Sequence, residues 1–183
     1  TITSNTKVTE EAMEDAIDKI YDAVLCIEVL SDDGSVLSSG TGFVYATDDN
    51  YGYVLTNAHV VSGGTNVQGI MTDNTTTSLT ILGTDSYTDL AVLRMDVKQV
   101  KQVASIGDSK NTAVGNTVFT VGSPMGSTYV GTVTKGILSG KDRLVETSTS
   151  NGLSSESYIV KVLQTDAAIS PGNSGGPLVN LAG

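Results

Sequence analysis

The chain reads SPGNSGGPL at residues 170–178, and this stretch says more about its fold and chemistry than any other. A serine between glycines, after a run of turn residues, predicts a tight loop that exposes one hydroxyl group. Glycine lacks the Cβ atom that would keep a substrate away from the backbone. The amides of Gly172 and Ser174 can then point to one position and stabilise a developing oxyanion. We therefore predict Ser174 as a nucleophile, with Gly172 and Ser174 as its oxyanion hole.

A serine nucleophile needs a general base, and the chain contains one histidine. His59 lies in VLTNAHVV at residues 54–61, at the end of a strand-like run. Asp89 lies in TDLAVL at residues 88–93, where it opens another strand-like run and could orient the imidazole. The chain order His, Asp, Ser is a known order for a catalytic triad. We predict His59, Asp89 and Ser174 as the catalytic residues.

Two other aspartates could orient the histidine. Asp85 is close to Asp89 in the sequence, and Asp166 lies shortly before the predicted nucleophile. Asp85 lies outside the TDLAVL segment and Asp166 belongs to the loop of the predicted nucleophile, so Asp89 is the leading candidate.

Five segments carry a resemblance to a known family. They are TNAHVV at 56–61, TDLAVL at 88–93, VGSPMG at 121–126, QTDAAI at 164–169 and GNSGGPL at 172–178. Together they resemble the chymotrypsin-like serine proteases and, within them, the bacterial HtrA/Deg group. The resemblance implies an all-β fold of two six-stranded antiparallel β-barrels. It also implies endopeptidase activity, through an acyl-enzyme, on unfolded or misfolded polypeptides.

The resemblance carries further expectations about partners and location. It implies an extracellular or cell-envelope protein, and a C-terminal PDZ domain that we expect to be absent here. It also implies a homo-oligomer, in the family a trimer built largely by aromatic residues ahead of the first barrel. No aromatic residue precedes Tyr21, which argues against that trimer.

The substrate pocket is expected just before the nucleophile. The resemblance places the base of the pocket near Ala168, with Ile169, Ser170 and Pro171 as further substrate-binding residues. Because Ala168 is not acidic, we expect a small or medium aliphatic residue before the scissile bond rather than Lys or Arg. Asn173 stands where the digestive proteases have an aspartate that pairs with a newly cut N-terminus, so activation by N-terminal insertion is not expected.

Composition excludes several functions. Ten basic against twenty acidic side chains give a net charge of −10, which disfavours nucleic acid and anionic membranes as partners. We expect no metal and no cofactor. The single cysteine, Cys26, cannot form an intramolecular disulfide; we interpret it as a small packed thiol, the alternative being a cysteine nucleophile.

The order of patterns along the chain predicts its organisation. Thr9 is expected to cap an N-terminal helix with Glu10 and Glu11 in its first turn. Its apolar face would consist of Met13, Ala16, Ile17 and Ile20. The predicted divisions are a tail and helix at 1–22, a first barrel at 23–96, a connection at 97–112 and a second barrel at 113–183.

Short β-prone runs broken by turn residues favour an all-β sandwich or barrel from residue 23 onward. The predicted strands are 23–30, 36–46, 51–56, 65–71, 77–83 and 90–95 in the first barrel, and 114–121, 129–138, 142–147, 158–165 and 177–181 in the second. A hydroxyl-rich stretch at 147–157 is expected to form a mobile loop or hairpin tip with Asn151-Gly152 as its turn. Gly183 is only the ninth residue after Ser174, so we expect the second barrel to be incomplete and the chain to be a truncated protease domain.

Two functions of other classes stay open. One is a peptide-binding or chaperone-like module that holds unfolded chains without cleaving them. The other is an esterase for small acyl substrates, although the chain order of the triad differs from that of α/β-hydrolases.

Overall fold

The structure is a computed structural model that describes residues 3–150 and 155–183, with side chains at 11–148 and 155–183. Its helices are α1 (Thr3–Asp18) and the short α2 (Ala58–Val61). Its first six strands are β1 (Val24–Leu30), β2 (Val36–Thr47), β3 (Tyr51–Asn57), β4 (Asn66–Met71), β5 (Thr76–Asp85) and β6 (Leu90–Asp96). The remaining strands are β7 (Thr117–Gly122), β8 (Thr132–Ser150), β9 (Ser155–Thr165) and β10 (Leu178–Asn180).

The first six strands close into an antiparallel barrel in the order β1-β2-β3-β6-β5-β4. Side chains alternate between its interior and its surface along β3 and β6, as the twofold period of a strand requires. Val54 and Leu93, whose backbones pair across these two strands, are completely buried in the barrel core. The C-terminal end of β3 and the N-terminal end of β6 therefore meet at one rim of the barrel. His59 follows β3 and Asp89 precedes β6, so both residues lie at this rim.

The other four strands form an open sheet in the order β10-β7-β8-β9. Phe119 and Val121 of β7 are completely buried and pack in one cluster with Ala16 and Ile20 from the N-terminal region. A cavity of about 480 Å³ is lined by residues of this sheet and of the N-terminal region, among them Ile20, Val118 and Val179. The expectation of one closed barrel, a second incomplete barrel and an N-terminal helix is confirmed.

Two predicted strands of the second sheet are one strand in the structure. Residues 132–138 of the first segment and all of 142–147 belong to β8, which continues through residues 139–141. Residues 129–131 precede the strand and are not part of it. Irregular pairing with β9 at Gly140, together with a positive φ of 55° at Asp142, bends the strand without ending it, as bulges do. The hydroxyl-rich stretch forms the ends of β8 and β9, which pair up to Ser150 and Ser155. The predicted Asn151-Gly152 turn lies outside the described residues.

The N-terminal helix begins earlier than predicted. It starts at Thr3, so Thr9 is internal and does not cap it, and Glu10 and Glu11 are not in its first turn. The segment from Thr3 to Asp18 contains no glycine or proline, so nothing in it interrupts the backbone hydrogen bonds of the helix. The predicted apolar face is confirmed, since Ala16 and Ile20 are buried in the same cluster as Phe119 and Val121, and Met13 and Ile17 pack against it. Ile20 lies just after the end of the helix at Asp18. In the described part of the chain, no helix has the length and apolar character needed to cross a membrane.

The hairpin of β8 and β9 reaches back to the first barrel. The Tyr158 hydroxyl group donates a hydrogen bond to the Ser86 carbonyl at 3.1 Å, and the Tyr87 hydroxyl group donates one to Glu156 Oε2 at 2.8 Å. The rings of Tyr87 and Tyr158 pack edge to face with centroids 5.4 Å apart. The turn that precedes Asp89 is therefore tied to the second sheet.

Cys26 is completely buried on β1. Burial, with a smaller contribution from the Glu28 carboxylate, raises the pKa of its thiol to about 12. A thiol held in its protonated form is neither nucleophilic nor readily oxidised, so the structure supports the packed thiol over the cysteine nucleophile.

We predict that Cys26 reacts with iodoacetamide at least about 1,000-fold more slowly in the folded chain than in denaturant, because thiolate is the reactive species and burial suppresses it. The rates can be followed by intact-mass spectrometry at pH 8. The variant Cys26→Ser should gain no label under either condition. Rapid modification of the folded wild-type chain would contradict this assignment.

Candidate active site

His59 and Asp89 form a hydrogen-bonded pair at the rim of the first barrel. His59 Nδ1 lies 2.7 Å from Asp89 Oδ2, and the His59 backbone amide donates to Asp89 Oδ1 at 2.9 Å. A carboxylate can only accept, so Nδ1 carries the proton and Nε2 of a neutral imidazole is left as an acceptor. This is the tautomer that a general base for a hydroxyl group requires. The side chains stay accessible, 58% exposed for His59 and 42% for Asp89.

The backbone of Asp89 is held in an unusual conformation. Its φ of 54° lies in the left-handed region, which aspartate tolerates better than most residues. The Asp89 carbonyl accepts hydrogen bonds from the Ala58 amide at 3.0 Å and from Asn57 Nδ2 at 2.8 Å. Because β3 leads directly into these donors, the residues just before His59 fix the position of Asp89.

The two alternative aspartates are engaged elsewhere. Asp85 accepts from the Tyr87 amide and the Thr88 hydroxyl group, and these bonds, that of Thr88 above all, lower the pKa of its carboxyl group. Asp166 Oδ1 accepts from the Ile137 amide at 2.7 Å. Both carboxylates therefore stabilise local backbone, and Asp89 is the aspartate that meets the imidazole.

The loop before Ser174 is a tight turn. The Asn173 amide donates to the Ser170 carbonyl at 3.0 Å, which closes a four-residue turn around Pro171 and Gly172. Gly172 has a φ of 100°. Proline followed by a glycine with positive φ is the pattern of a type II turn, so the sequence itself specifies this conformation.

The two predicted oxyanion-hole amides are available. Neither the Gly172 amide nor the Ser174 amide donates a hydrogen bond to any residue that the structure describes. The Pro171 carbonyl, which shares a peptide unit with the Gly172 amide, accepts from the Met125 amide at 3.0 Å. A planar trans peptide directs its C=O and N–H to opposite sides, so this contact turns the Gly172 amide away from Met125.

Ser174, the third residue of the predicted triad, is half-buried. Its carbonyl accepts a hydrogen bond from the Thr41 amide at 2.8 Å. Within residues 3–150 and 155–183, no hydrogen bond joins the Ser174 hydroxyl group to His59. Contacts of this kind often tighten only when substrate binds.

Asn173 is buried beneath the turn, 7% exposed. An added Cβ at Gly122 would lie only 2.5 Å from Asn173 Oδ1, so the glycine makes room for this side chain. Asn173 Oδ1 has no hydrogen-bond partner among the described residues. An amide at this position carries no charge to neutralise, in keeping with the expectation that no inserted N-terminus is needed.

The four predicted substrate-binding residues lie in an exposed segment that leads into the turn. Ala168, Ile169, Ser170 and Pro171 are all exposed, Ile169 by 61%. The Ala168 carbonyl accepts from the Thr134 hydroxyl group at 2.8 Å, which ties this segment to β8. Their role in substrate binding stays a prediction.

Thr41 and Met125 contact the loop and were not predicted from the sequence. Thr41 is a polar residue at a completely buried position of β2, and its two flanking glycines in GTG at residues 40–42 are the signal that could have marked it. Met125 has a φ of 60° and a side chain that is 79% exposed, and nothing in the sequence marks its amide as a loop contact.

In the described part of the chain, no three His, Cys, Asp or Glu side chains are grouped so as to hold a metal ion.

Comparisons with known proteins identify the family of this chain. The trypsin-like peptidase domain family matches residues 40–183, more than half of the chain. The chain therefore belongs to the trypsin-like peptidase family. The matched range contains all three residues of the predicted triad, which lie at positions 59, 89 and 174.

Relatives of this trypsin-like peptidase chain are larger proteins. It is 49% identical over 146 residues, 80% of the chain, to the serine protease Do-like HtrA of Lactobacillus helveticus, of which the match covers 34%. It is 42% identical over 146 residues, again 80% of the chain, to a probable periplasmic serine endoprotease DegP-like of Pseudomonas savastanoi pv. phaseolicola, of which 27% is covered. The chain thus spans about a third or less of the length of these relatives.

A solved structure confirms the expected fold. The HtrA-type protease AlgW, determined with a tripeptide, superimposes with a TM-score of 0.76 and 32% sequence identity. The match covers 93% of this chain and 51% of that one. The two-barrel, chymotrypsin-like fold expected from the five sequence segments is therefore the fold of this trypsin-like peptidase.

We predict that Gly172→Ala lowers the rate of peptide cleavage at least about 100-fold, the usual effect of losing one oxyanion donor. An added Cβ would lie 2.4 Å from the Ser123 carbonyl oxygen, and the φ of 100° disfavours any other residue. The loop must therefore move, and the Gly172 amide with it. The measurement is kcat/KM on a peptide substrate.

Gly34→Ala is the matched control for this prediction. Gly34 also has a positive φ, of 84°, but an added Cβ would have no neighbour within 4 Å. We expect a loss of stability of about 1 kcal/mol from the backbone conformation alone and an unchanged kcat/KM. Equal activity of the two variants would show that the geometry of Gly172 is not needed.

Proposed function

We propose that this chain is the catalytic domain of a serine endopeptidase that hydrolyses peptide bonds of unfolded or misfolded proteins through a Ser174–His59–Asp89 triad. The observation that carries the proposal is the 2.7 Å contact of His59 Nδ1 with Asp89 Oδ2. It leaves Nε2 able to take a proton from a serine. The free amides of Gly172 and Ser174 support the same chemistry.

In the first half of the reaction, Ser174 Oγ forms a bond to the scissile carbonyl carbon and transfers its proton to His59 Nε2. The carbonyl oxygen becomes an oxyanion, which accepts hydrogen bonds from the Gly172 and Ser174 amides. Asp89 stabilises the imidazolium formed in this step. The C–N bond then breaks, the leaving amine takes the proton from Nε2, and the acyl group stays on Ser174.

In the second half, a water molecule replaces the amine. His59 Nε2 takes one proton from the water as its oxygen bonds to the acyl carbon, and the same two amides hold the second oxyanion. The bond from the acyl carbon to Ser174 Oγ then breaks, and Oγ recovers its proton from the imidazolium. The second product leaves as a carboxylic acid, and the starting state is restored.

The substrate class and location are inferred from the same site and from relatives. Because residue 168 is alanine and not an acidic residue, the proposed pocket suits a small or medium aliphatic residue before the scissile bond. Aliphatic residues of this kind are exposed in unfolded chains. The relative described as periplasmic supports a place in the cell envelope or outside the cell.

One observation favours the alternative of a peptide-binding module that does not cleave. In the described residues the Ser174 hydroxyl group is not hydrogen-bonded to His59, so the triad is not fully assembled in the free chain. A module of this kind would bind unfolded polypeptide without forming an acyl-enzyme.

We predict that a fluorophosphonate labels Ser174 and that the chain cleaves an unfolded protein such as reduced casein. The reagent bonds to an activated serine oxygen and loses fluoride, so peptide mapping by mass spectrometry locates the adduct. Ser174→Ala should lose both labelling and cleavage while keeping the far-UV circular dichroism spectrum. Binding of casein by the wild type with neither labelling nor cleavage would support the non-cleaving module instead.

We predict that Asp89→Asn lowers kcat by about 10⁴-fold, the loss typical when the orienting carboxylate of such a triad becomes an amide and the wrong imidazole tautomer is favoured. Asp85→Asn is the matched control, because its carboxylate stabilises the adjacent turn and does not contact His59. We expect that control to keep kcat within about threefold of wild type, as for sites that act independently. Equal rates in the two variants would remove Asp89 from the triad.

A further inference from the structure

Thr41 lies where the first barrel meets residues 170–176, the loop that contains Ser174 and is called the nucleophile loop below. The side chain of Thr41 is completely buried. Its hydroxyl group donates a hydrogen bond to the Gly172 carbonyl at 2.7 Å and accepts one from the Ser123 amide at 3.0 Å. A hydroxyl group has one proton to donate and lone pairs to accept. Both capacities are therefore used, one toward the loop and one toward the end of β7.

The backbone of Thr41 holds the same loop a second time. Its amide donates to the Ser174 carbonyl at 2.8 Å, and its own carbonyl accepts from the Thr56 hydroxyl group at 2.6 Å. Thr56 lies on β3, three residues before His59. One residue thus links β3, the strand that leads into His59, to both residues whose amides form the proposed oxyanion hole.

The peptide units around the hole show what these contacts accomplish. Each of four consecutive carbonyls, those of residues 171 to 174, accepts a hydrogen bond. The donors, in order, are the Met125 amide, the Thr41 hydroxyl group, the Gly176 amide and the Thr41 amide. Because each peptide is planar, fixing its carbonyl also fixes the direction of the amide in the same unit. Thr41 supplies two of these four constraints.

We propose that Thr41 is a positioning residue that holds the oxyanion hole open by fixing the peptide units on either side of the Asn173–Ser174 unit. The inference rests on the proposed serine-protease function of this site. Thr41 touches no reacting atom; it acts through the carbonyls of Gly172 and Ser174. Loss of the hydroxyl group would leave the Gly172–Asn173 unit held only by the bond from the Asn173 amide to the Ser170 carbonyl. Rotation of this less constrained unit would displace the Gly172 and Ser174 amides together.

The substitutions Thr41→Val and Thr41→Ser separate positioning from packing. Valine keeps the shape of threonine but cannot donate to Gly172 or accept from Ser123. Serine keeps the hydroxyl group and removes the methyl group, which packs near Gly176. Packing alone would make serine the worse replacement, whereas positioning makes valine the worse one.

Thr77→Val provides the matched control. Thr77 is also buried in the first barrel, on β5, and its hydroxyl group donates to Gln99 Oε1. The change removes a part-buried hydrogen bond of a threonine hydroxyl group that does not involve the nucleophile loop. The change in melting temperature of Thr77→Val shows how much stability the chain loses when a threonine hydroxyl group away from the site loses its hydrogen bond.

The experiment measures kcat and KM on a peptide substrate, the rate of fluorophosphonate labelling, and the backbone amide resonances of Gly172 and Ser174 by NMR. We expect Thr41→Val to lower kcat by about 100- to 1,000-fold, as for loss of oxyanion stabilisation. KM should change little, because the interaction is made in the transition state. Thr41→Ser should recover most of kcat, and Thr77→Val should keep all of it. The Gly172 and Ser174 resonances should shift in Thr41→Val and stay in place in Thr77→Val.

Each result bears on the proposal. Wild-type kcat in Thr41→Val, or an equal loss in Thr77→Val, would overturn it, as would a lower kcat in Thr41→Ser than in Thr41→Val. If the wild-type chain neither labels nor cleaves, the proposed function fails, and the NMR comparison alone then decides whether Thr41 positions the two amides. If the Gly172 and Ser174 resonances do not shift in Thr41→Val, the proposal that Thr41 positions these amides is wrong as well.

Discussion

The nucleophile loop is clamped between the two halves of the molecule, and the rest of the site depends on that contact. An added Cβ at Gly175 would lie 2.2 Å from the Thr41 carbonyl oxygen, and one at Gly172 would lie 2.4 Å from the Ser123 carbonyl oxygen. The first contact is with the closed barrel and the second with the end of β7. Only glycine allows backbone to approach backbone so closely on both sides. The glycines of the motif therefore serve the fit between the barrels as much as the approach of a substrate.

The two halves of the site have different origins in the fold. His59 and Asp89 are brought together within the first barrel, because β3 and β6 are paired neighbours and Asn57 and Ala58 bind the Asp89 carbonyl. Ser174 is instead held against the first barrel by the bond from the Thr41 amide to its carbonyl. A change at that contact should therefore move Ser174 and the proposed oxyanion hole while leaving the His59–Asp89 pair intact. Tyr158, which binds the Ser86 carbonyl, is a second link across the same boundary.

Local patterns allowed much of this arrangement to be predicted from the sequence. The strands of the first barrel are predicted to within a few residues because short β-prone runs are separated by turn residues. The sequence predicts two strands where the structure has the single strand β8, because Gly140 and Asp142 are residues typical of turns. In the structure they lie in a stretch of irregular pairing within that strand. The bonds of Thr41 to the loop could not be predicted, since they join residues 131 positions apart and no local pattern encodes such a distance.

The proposed oxyanion hole also constrains where the loop can lie. Its two amides make no hydrogen bond to the described residues, and a buried amide without a partner is strongly disfavoured. The free chain can therefore leave these donors unpaired only where water reaches them, which fits the half-buried positions of Gly172 and Ser174. The carbonyls of residues 171–174 are all bound to protein donors, so the loop is held by hydrogen bonds on the side of the barrels and is open on the side of solvent. In the proposed reaction a substrate carbonyl replaces water at the two amides, and donors that are already held in place stabilise a transition state most.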